Sequence, residues 1–462
     1  MALASSHCPP TATMQGMPSP LAPVHIVGGG LAGSECAFQL ASRGVSVVLH
    51  EMRPVRPTPA HKSGDFAELV CSNSLRSDDP EHAAGLLKRE MELFGSLIIG
   101  TAREAAVPAG SALAVDRDRF AAAVSEKLQA LPGLEIRREE VTDLAALTAE
   151  HDTVLATGPL TSPALAARLG ELLGSDYLYF YDAIAPIVDG ESLDMAKLFW
   201  MSRYGKGEGA DYLNSGLDKE QYAAFYQAIL DAEVLPLHDF EKALFFEGCL
   251  PIEELARRGE ATLRFGPMKP VGLRGLDGRR PWAVLQLRQE NLAKSHFNLV
   301  GFQSRMRWPD QQRVFRLLPG LENAEFVRLG QIHRNTFINS PSHLASDYRV
   351  KKSPRLRLAG PITGVEGYLE SAATGLAAAL YLVLERRGDG AGAPPPGLPA
   401  TTALGALARH LTESDPRHFQ PANIHYGLFT PLEPLPRKDE RRGIYASRAL
   451  SALSAWKAQC GL

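Results

Sequence analysis

A chain of 462 residues, 45% hydrophobic and 22% charged, is long enough for two or three domains and has the balance of an ordinary globular protein. Its formal charge of -3 excludes a uniformly basic nucleic-acid binder but leaves room for a local basic face. The longest apolar run, Leu376 to Leu384, stops at Glu385-Arg386-Arg387; it is too short for a membrane span and reads as a buried helix.

Residues 1–22 carry no Lys or Arg and no continuous apolar core, so they resemble neither a secretory signal nor a transit peptide and are expected to be a disordered tail. The next stretch, VHIVGGGLAGSECAFQLASRGVSVVLHE at 24–51, predicts a strand, a glycine turn, a helix and a second strand ending in an acid. Gly28, Gly30 and Gly33 have the spacing that gives a tight turn, close backbone approach to a pyrophosphate and close helix packing. The loop from Gly28 through Gly29, Gly30, Leu31 and Ala32 to Gly33 is therefore a candidate dinucleotide cradle. Glu51 would accept ribose hydroxyl hydrogen bonds. A merely tight strand-helix turn is the bland alternative.

Cys71 lies in FAELVCSNSLRS, among polar neighbours, which weakens its reading as a packed small hydrophobe. Cys36, on the helix after the glycine turn, reads as core. DRDRFAAAVSEKL at 116–128 has an Asp start and helical spacing of Phe120, Val124 and Leu128, and looks like scaffold. TVLATGP at 153–159 reads as a buried strand ending at a turn that contains Gly158. From about Ala185 to Leu329 the strand-helix-strand rhythm lapses, and 186–329 reads as an inserted substrate domain.

Within that insertion Cys249 stands between a glycine and a proline-started helix near Pro251. Such a helix start would lower a thiol pKa, although a packed thiol is the alternative. Arg257, Arg258, Arg264, Lys269, Arg274, Arg279 and Arg280 follow, with Arg305, Arg307, Arg313 and Arg316 later around Trp308. They form a plausible phosphate-contacting face or an ordinary solvated one. IHRNTFINSP, with His333, Asn335 and Asn339, lines a ring pocket or fixes a loop. The segment 355–385 is another strand, a glycine loop and a long helix, in which Gly360, Gly364, Gly367 and Tyr368 lead into the helix. Such a unit this late in the chain suits FAD lying extended, in preference to NAD alone. A Gly/Pro loop at 386–400 and a final amphipathic helix near Arg448–Trp456 complete the chain. The fold expected is α/β: a Rossmann-like FAD-binding domain from 23–185 and 330–462, with an inserted α+β domain at 186–329. The five cysteines form no C-x-x-C pair, which argues against disulfides and a zinc site and fits a reducing cytoplasm.

Taken together, VGGGLAGSE, FAELVCSNSLRS, FEGCLPIEELARRG, RFGPMKPVGL, FRLLPGLENAEFVRLGQIHRNTFINSP and ITGVEGYLESAATG closely resemble the folate- and FAD-dependent tRNA (uracil-5-)-methyltransferases, from about Val24 to near the C-terminus. The resemblance implies a cytoplasmic enzyme that methylates the T-loop uridine in the T-arm of tRNA. Carbon would come from 5,10-methylenetetrahydrofolate and electrons from NAD(P)H through FAD, with no metal, membrane or obligate protein partner. It also implies that Cys249 attacks uracil and that Cys71 lies near the flavin as a base or guard. The family carries a glutamine where this chain has Pro361, and many members a folate-stacking histidine where it has Arg305. An arginine plane also stacks, which makes Arg305 a folate candidate. The rivals are a GidA-like flavoprotein modifying the wobble uridine, a small-molecule FAD oxidoreductase with structural cysteines, and a flavin-stabilised RNA-binding protein.

Overall fold

The computed structural model describes residues 22–58, 60–174, 178–235, 250–387 and 396–462; for 178–183 and 332–335 it describes the backbone alone. The tail, except its last residue, and Cys249 lie outside the described residues.

The predicted first unit forms as strand β1 (Val24–Val27), helix α1 (Leu31–Ala41) and strand β2 (Val47–His50). Both strands are fully buried, as apolar runs between helical layers must be. They pair in parallel, Val24 against Val47 through Val27 against His50. The sheet runs Arg349–Val350, Ser353–Leu358, Thr153–Leu155, β1, β2, Leu134–Arg137, and only its first pair is antiparallel. Four strands, each more than a hundred residues further along the chain than β1, thus complete the sheet.

The Tyr368–Arg387 helix is buried from Leu369 to Val383, which accounts for the apolar run. It crosses α1 so closely that a Cβ on Gly375 would stand 2.1 Å from the Ala32 carbonyl oxygen. The helix expected at 116–128 spans Arg117–Gln129, its N-terminus capped by Asp116 Oδ1 accepting from Arg119 N at 3.2 Å, with Phe120, Val124 and Leu128 buried. Two buried carboxylates tie other helices to this core. Glu35 accepts from Ser96 Oγ and Ile98 N at 2.8 and 2.9 Å, and Glu90 from Ala403 N and Leu404 N at 2.7 and 2.8 Å.

Between Ile187 and Arg328 lies a second sheet, antiparallel throughout, in the order Leu198–Trp200, Tyr212–Leu217, Ala283–Gln289, His296–Leu299, Ile187–Asp189, Phe326–Arg328. The chain enters and leaves it through an antiparallel ladder of Leu178–Ala183 with Ile332–Phe337. A small third sheet joins Ser74–Ser77, Ala112–Val115 and Ala106–Val107.

Element ends differ from the sequence reading in three places. The helix expected near Pro251 is only Ile252–Arg257, and the last helix is longer than expected, Arg441–Gln459. The Tyr368–Arg387 helix runs into the expected loop, of which 388–395 lie outside the described residues. Among the described residues no helix is long and apolar enough to cross a membrane.

His25 on β1 has its Nδ1 2.9 Å from His50 Nε2, and its ring stacks on His151 at 4.3 Å between centroids. His50 also faces Glu139 Oε1 at 3.0 Å. Burial first, then the neighbouring His151 and His50, push His25 down to about 4. A base lowered in the folded state contributes stability above its ordinary value of 6.5 that is lost as pH falls toward 4. Urea midpoints measured between pH 7 and pH 4 should therefore fall more steeply for the wild type than for His25→Gln; parallel curves would contradict this coupling.

Candidate active site

The glycine turn is built as its spacing requires. Gly28 has φ +105°, and a Cβ there would lie 2.5 Å from the Ala156 carbonyl oxygen; one on Gly33 would lie 1.8 Å from the Gly28 oxygen. Gly28 N donates to His50 O at 2.8 Å, so the turn is stitched to the end of β2. Immediately beyond β2, Glu51 Oε2 accepts from Gly29 N at 2.8 Å, while Oε1 accepts from the Arg53 backbone N–H at 2.9 Å and from Arg53 Nε at 3.0 Å. Burial raises this carboxyl, but its bonds to Arg53 and Gly29 outweigh that and hold it below the usual carboxylate range.

These residues open onto a cavity of about 620 Å³. Gly28, Gly29, Gly30, Leu31, Ala32 and Glu51 line it, as does Gly158. Gly367 and Tyr368, at the start of the long buried helix, line it too, as does Cys71. Two helix N-termini therefore face one space, an arrangement that favours a ligand with anionic phosphates. The site accommodates a dinucleotide on the evidence of its own geometry. The cradle tolerates no Cβ at Gly28 or Gly33, and the carboxylate at the strand end is fixed in the ionised form a ribose needs.

The loop carrying Cys71 lines this cavity through Val70, Cys71 and Ser72. Ala67 N donates to Gly29 O at 2.9 Å, and the Tyr368 hydroxyl accepts from Cys71 N at 2.6 Å and Ser72 N at 3.1 Å. Burial, and then Cys71 beside it, push the Tyr368 phenol up, so it stays neutral. Three arginines hold the same loop from other elements. Arg117 Nη1 donates to Leu69 O at 2.7 Å; Arg328 donates to Val70 O and Cys71 O at 2.9 and 3.0 Å; Arg288 donates to Asn73 Oδ1 and Ser72 Oγ at 2.7 and 2.8 Å. Arg117 also ion-pairs with Glu290, and burial first, then the charge of Arg117, hold Arg328 down to about 10. Two of the three, Arg288 and Arg328, come from the antiparallel sheet. Cys36, by contrast, is buried in the core, where burial and then Glu35 push its thiol up.

Not every sequence candidate reaches the cavity. Gly33 and Gly360 shape the packing behind it, and Gly364 (φ +86°) packs against Phe419. Arg305 is buried in a polar cluster: Nη1 donates to Leu235 O at 2.8 Å, its guanidinium pairs with Glu254, and its backbone N–H donates to Glu253 Oε1 at 2.8 Å. It does not line the cavity, because its charge is drawn to the two carboxylates at the start of the Ile252–Arg257 helix. Asn339 Nδ2 donates to Pro416 O at 2.8 Å and fixes a loop. The side chains of His333 and Asn335, and all of Cys249, lie outside the described residues. Sequence reasoning missed Arg117, Arg288, Arg328 and Glu290. Arg288 and Glu290 flank Gln289 at the end of a fully buried strand, AVLQLRQE, where a charge within a strand pattern is the only available signal. Among the described residues no group of three or more His, Cys, Asp or Glu is placed to hold a metal ion.

The parallel sheet, glycine turn, terminal carboxylate and second helix N-terminus define a flavoprotein with the FAD-binding form of the Rossmann fold. The model of one family, GIDA (glucose inhibited division protein A), matches residues 23–389, and the chain belongs to that family. A relative from Geobacter sulfurreducens, methylenetetrahydrofolate--tRNA-(uracil-5-)-methyltransferase TrmFO, is 56% identical over 436 residues, covering 94% of this chain and 99% of the relative. A protein of the same name from Bacillus licheniformis is 53% identical over 432 residues, covering 93% and 98%. Among solved structures, GidA from Aquifex aeolicus in its form I crystal superposes with a TM-score of 0.67 at 17% identity, over 95% of this chain and 76% of that one. That likeness shows the shared fold.

Glu290→Gln leaves the Arg117 charge buried without its counter-ion. It should cost about 3 kcal/mol of unfolding free energy, read from urea titrations of the holoprotein. A change below about 0.5 kcal/mol, the range of ordinary surface substitutions, would show the pair to be dispensable.

Proposed function

We propose that this protein is a methylenetetrahydrofolate–tRNA-(uracil-5-)-methyltransferase that acts on the T-loop uridine, in the T-arm of tRNA, with NADH or NADPH as the electron source. The observation that carries this reading is the 56% identity to such an enzyme across 94% of the chain. The cavity agrees with it in kind: its lining includes a dinucleotide cradle and a thiol-bearing loop held against the antiparallel sheet. FAD, when bound, supplies the redox chemistry that takes the folate carbon to the methyl level.

Carbon 5 of uracil is a poor nucleophile until a thiolate adds to carbon 6 and makes an enolate. Cys249 is assigned that addition. After carbon transfer a base removes the carbon 5 proton, the electron pair of that C–H bond returns to the ring, and the thiol departs. Cys71 lies on the cavity wall, its backbone N–H bonded to the Tyr368 hydroxyl, and serves as that base or as a guard of the flavin. Residues 186–329 act as the substrate domain. The uridine must leave its stack to reach the cavity, at a cost of a few kcal/mol. The exposed Arg257, Arg258, Arg274, Arg279 and Arg280 can offset it through phosphate contacts. Arg264, stacked 3.6 Å over the Trp282 ring, and the exposed Phe265 and Trp308 add surfaces for bases. The cytoplasm, where tRNA is, is the matching location.

Transfer of label from methylene-labelled tetrahydrofolate into an unmodified tRNA transcript, with FAD and NADH, tests this directly. Label should appear in T-loop ribothymidine and vanish in Cys249→Ala. Persistence in that variant would move the nucleophile to Cys71, and NADH oxidation without label would favour a small-molecule flavoenzyme. Replacing Arg279 and Arg280 together by alanine should weaken tRNA binding and reduce the slope of log K against log salt by about two; an unchanged slope would place the RNA on another face.

A further inference from the structure

The wall of the cavity carries, on the antiparallel sheet, a polar group left incomplete among the described residues. Asn298, on the strand His296–Leu299, is only 3% exposed, lines the cavity, and has no hydrogen-bond partner at Nδ2 among the described residues. Its neighbours in the sheet do not supply one. Arg288, directly across on the adjoining strand, is engaged with Asn73 and Ser72, and Ile187 on the other side is apolar. A buried amide donor without a partner is costly and uncommon in folded proteins, and a ligand that completes it removes the cost.

The shape of the missing partner follows from the group. A carboxamide presents one acceptor and a pair of donors in a single plane. Its complement is a carbonyl beside a ring N–H, the edge of a cyclic lactam. Ile184, Ala185 and Val300 also line the cavity and offer apolar surface for the faces of a flat ring. The Cys71 loop adjoins this wall through the same Arg288 that pairs with Asn298 across the sheet. The activity proposed above brings two heterocycles with a lactam edge to this cavity, the pterin of the folate and the uracil of the tRNA.

We infer that Asn298 reads the lactam edge of a substrate heterocycle and is a specificity-determining residue on the insertion side of the site. This rests on the methyltransferase reading, which supplies those heterocycles. Asn298→Ala and Asn298→Asp should be prepared as FAD-loaded holoproteins; Asp keeps the shape but loses the donor, so it answers if the alanine variant does not fold. Two quantities are compared with the wild type: the Kd of tetrahydrofolate from the change in flavin absorbance, and kcat/KM for tRNA at saturating methylenetetrahydrofolate. Loss of a hydrogen bond to a polar site should weaken one of them about tenfold or more, with FAD content and absorption maxima unchanged. A raised Kd assigns the edge to the pterin; an unchanged Kd with a fall in kcat/KM for tRNA assigns it to uracil. If neither quantity moves, or if only FAD content or the flavin spectrum moves, the inference is overturned, the second case giving the amide to the flavin. A wild type that makes no ribothymidine sinks the activity itself, and this inference with it.

Discussion

The contact on which the active site depends is the crossing of α1 and the Tyr368–Arg387 helix, where Gly375 meets the backbone of Ala32 with no room for a Cβ. Helices this close hold their ends in fixed relation, since backbone packed on backbone has no side-chain rotamers with which to adjust. The consequence is that Gly28–Ala32 and Gly367–Tyr368, more than three hundred residues apart, point at one cavity. Their aligned peptide dipoles and N–H groups then make a site suited to phosphate without any lysine or arginine in the loops.

A second constraint ties the insertion to this frame. The Cys71 loop has little regular structure of its own, and its carbonyls and side chains are held by guanidinium groups from Arg117, Arg288 and Arg328. Arg288 and Arg328 belong to the antiparallel sheet, so the position of the Cys71 loop is set partly by where that sheet stands. Buried charge-assisted hydrogen bonds are directional and are costly to leave half made, which makes them effective at fixing such a loop. The same sheet face presents Asn298 to the cavity, so one wall both positions the loop and offers a group to a ligand.

Motifs that are local in the chain were readable in advance. The glycine spacing at Gly28, Gly30 and Gly33 and the acid at Glu51 carry their structural meaning in a few residues, because a turn without Cβ atoms and a strand-end carboxylate are short-range demands. The Asp116-started helix and the buried run at Leu376–Leu384 follow from side-chain period and polarity. Arg305 shows the limit of that reading. As a planar cation it was a reasonable stacking candidate, but the positions of Glu253 and Glu254 decide where its charge goes. Nothing in the run GFQSRMRW reveals carboxylates fifty residues earlier.

By itself, then, the sequence determined the nucleotide-binding character of the chain, and it singled out an insertion and two thiols as candidates, since each rests on contiguous residues whose physical demands are local. Tertiary structure alone decided which polar groups share the site. Arg117 with Glu290, Arg288 with Asn73, and the Asn298 amide nitrogen without a partner among the described residues are long-range facts. They arise from sheet register and domain contact, and burial changes the energy of each of these groups by an amount that no stretch of neighbouring residues encodes.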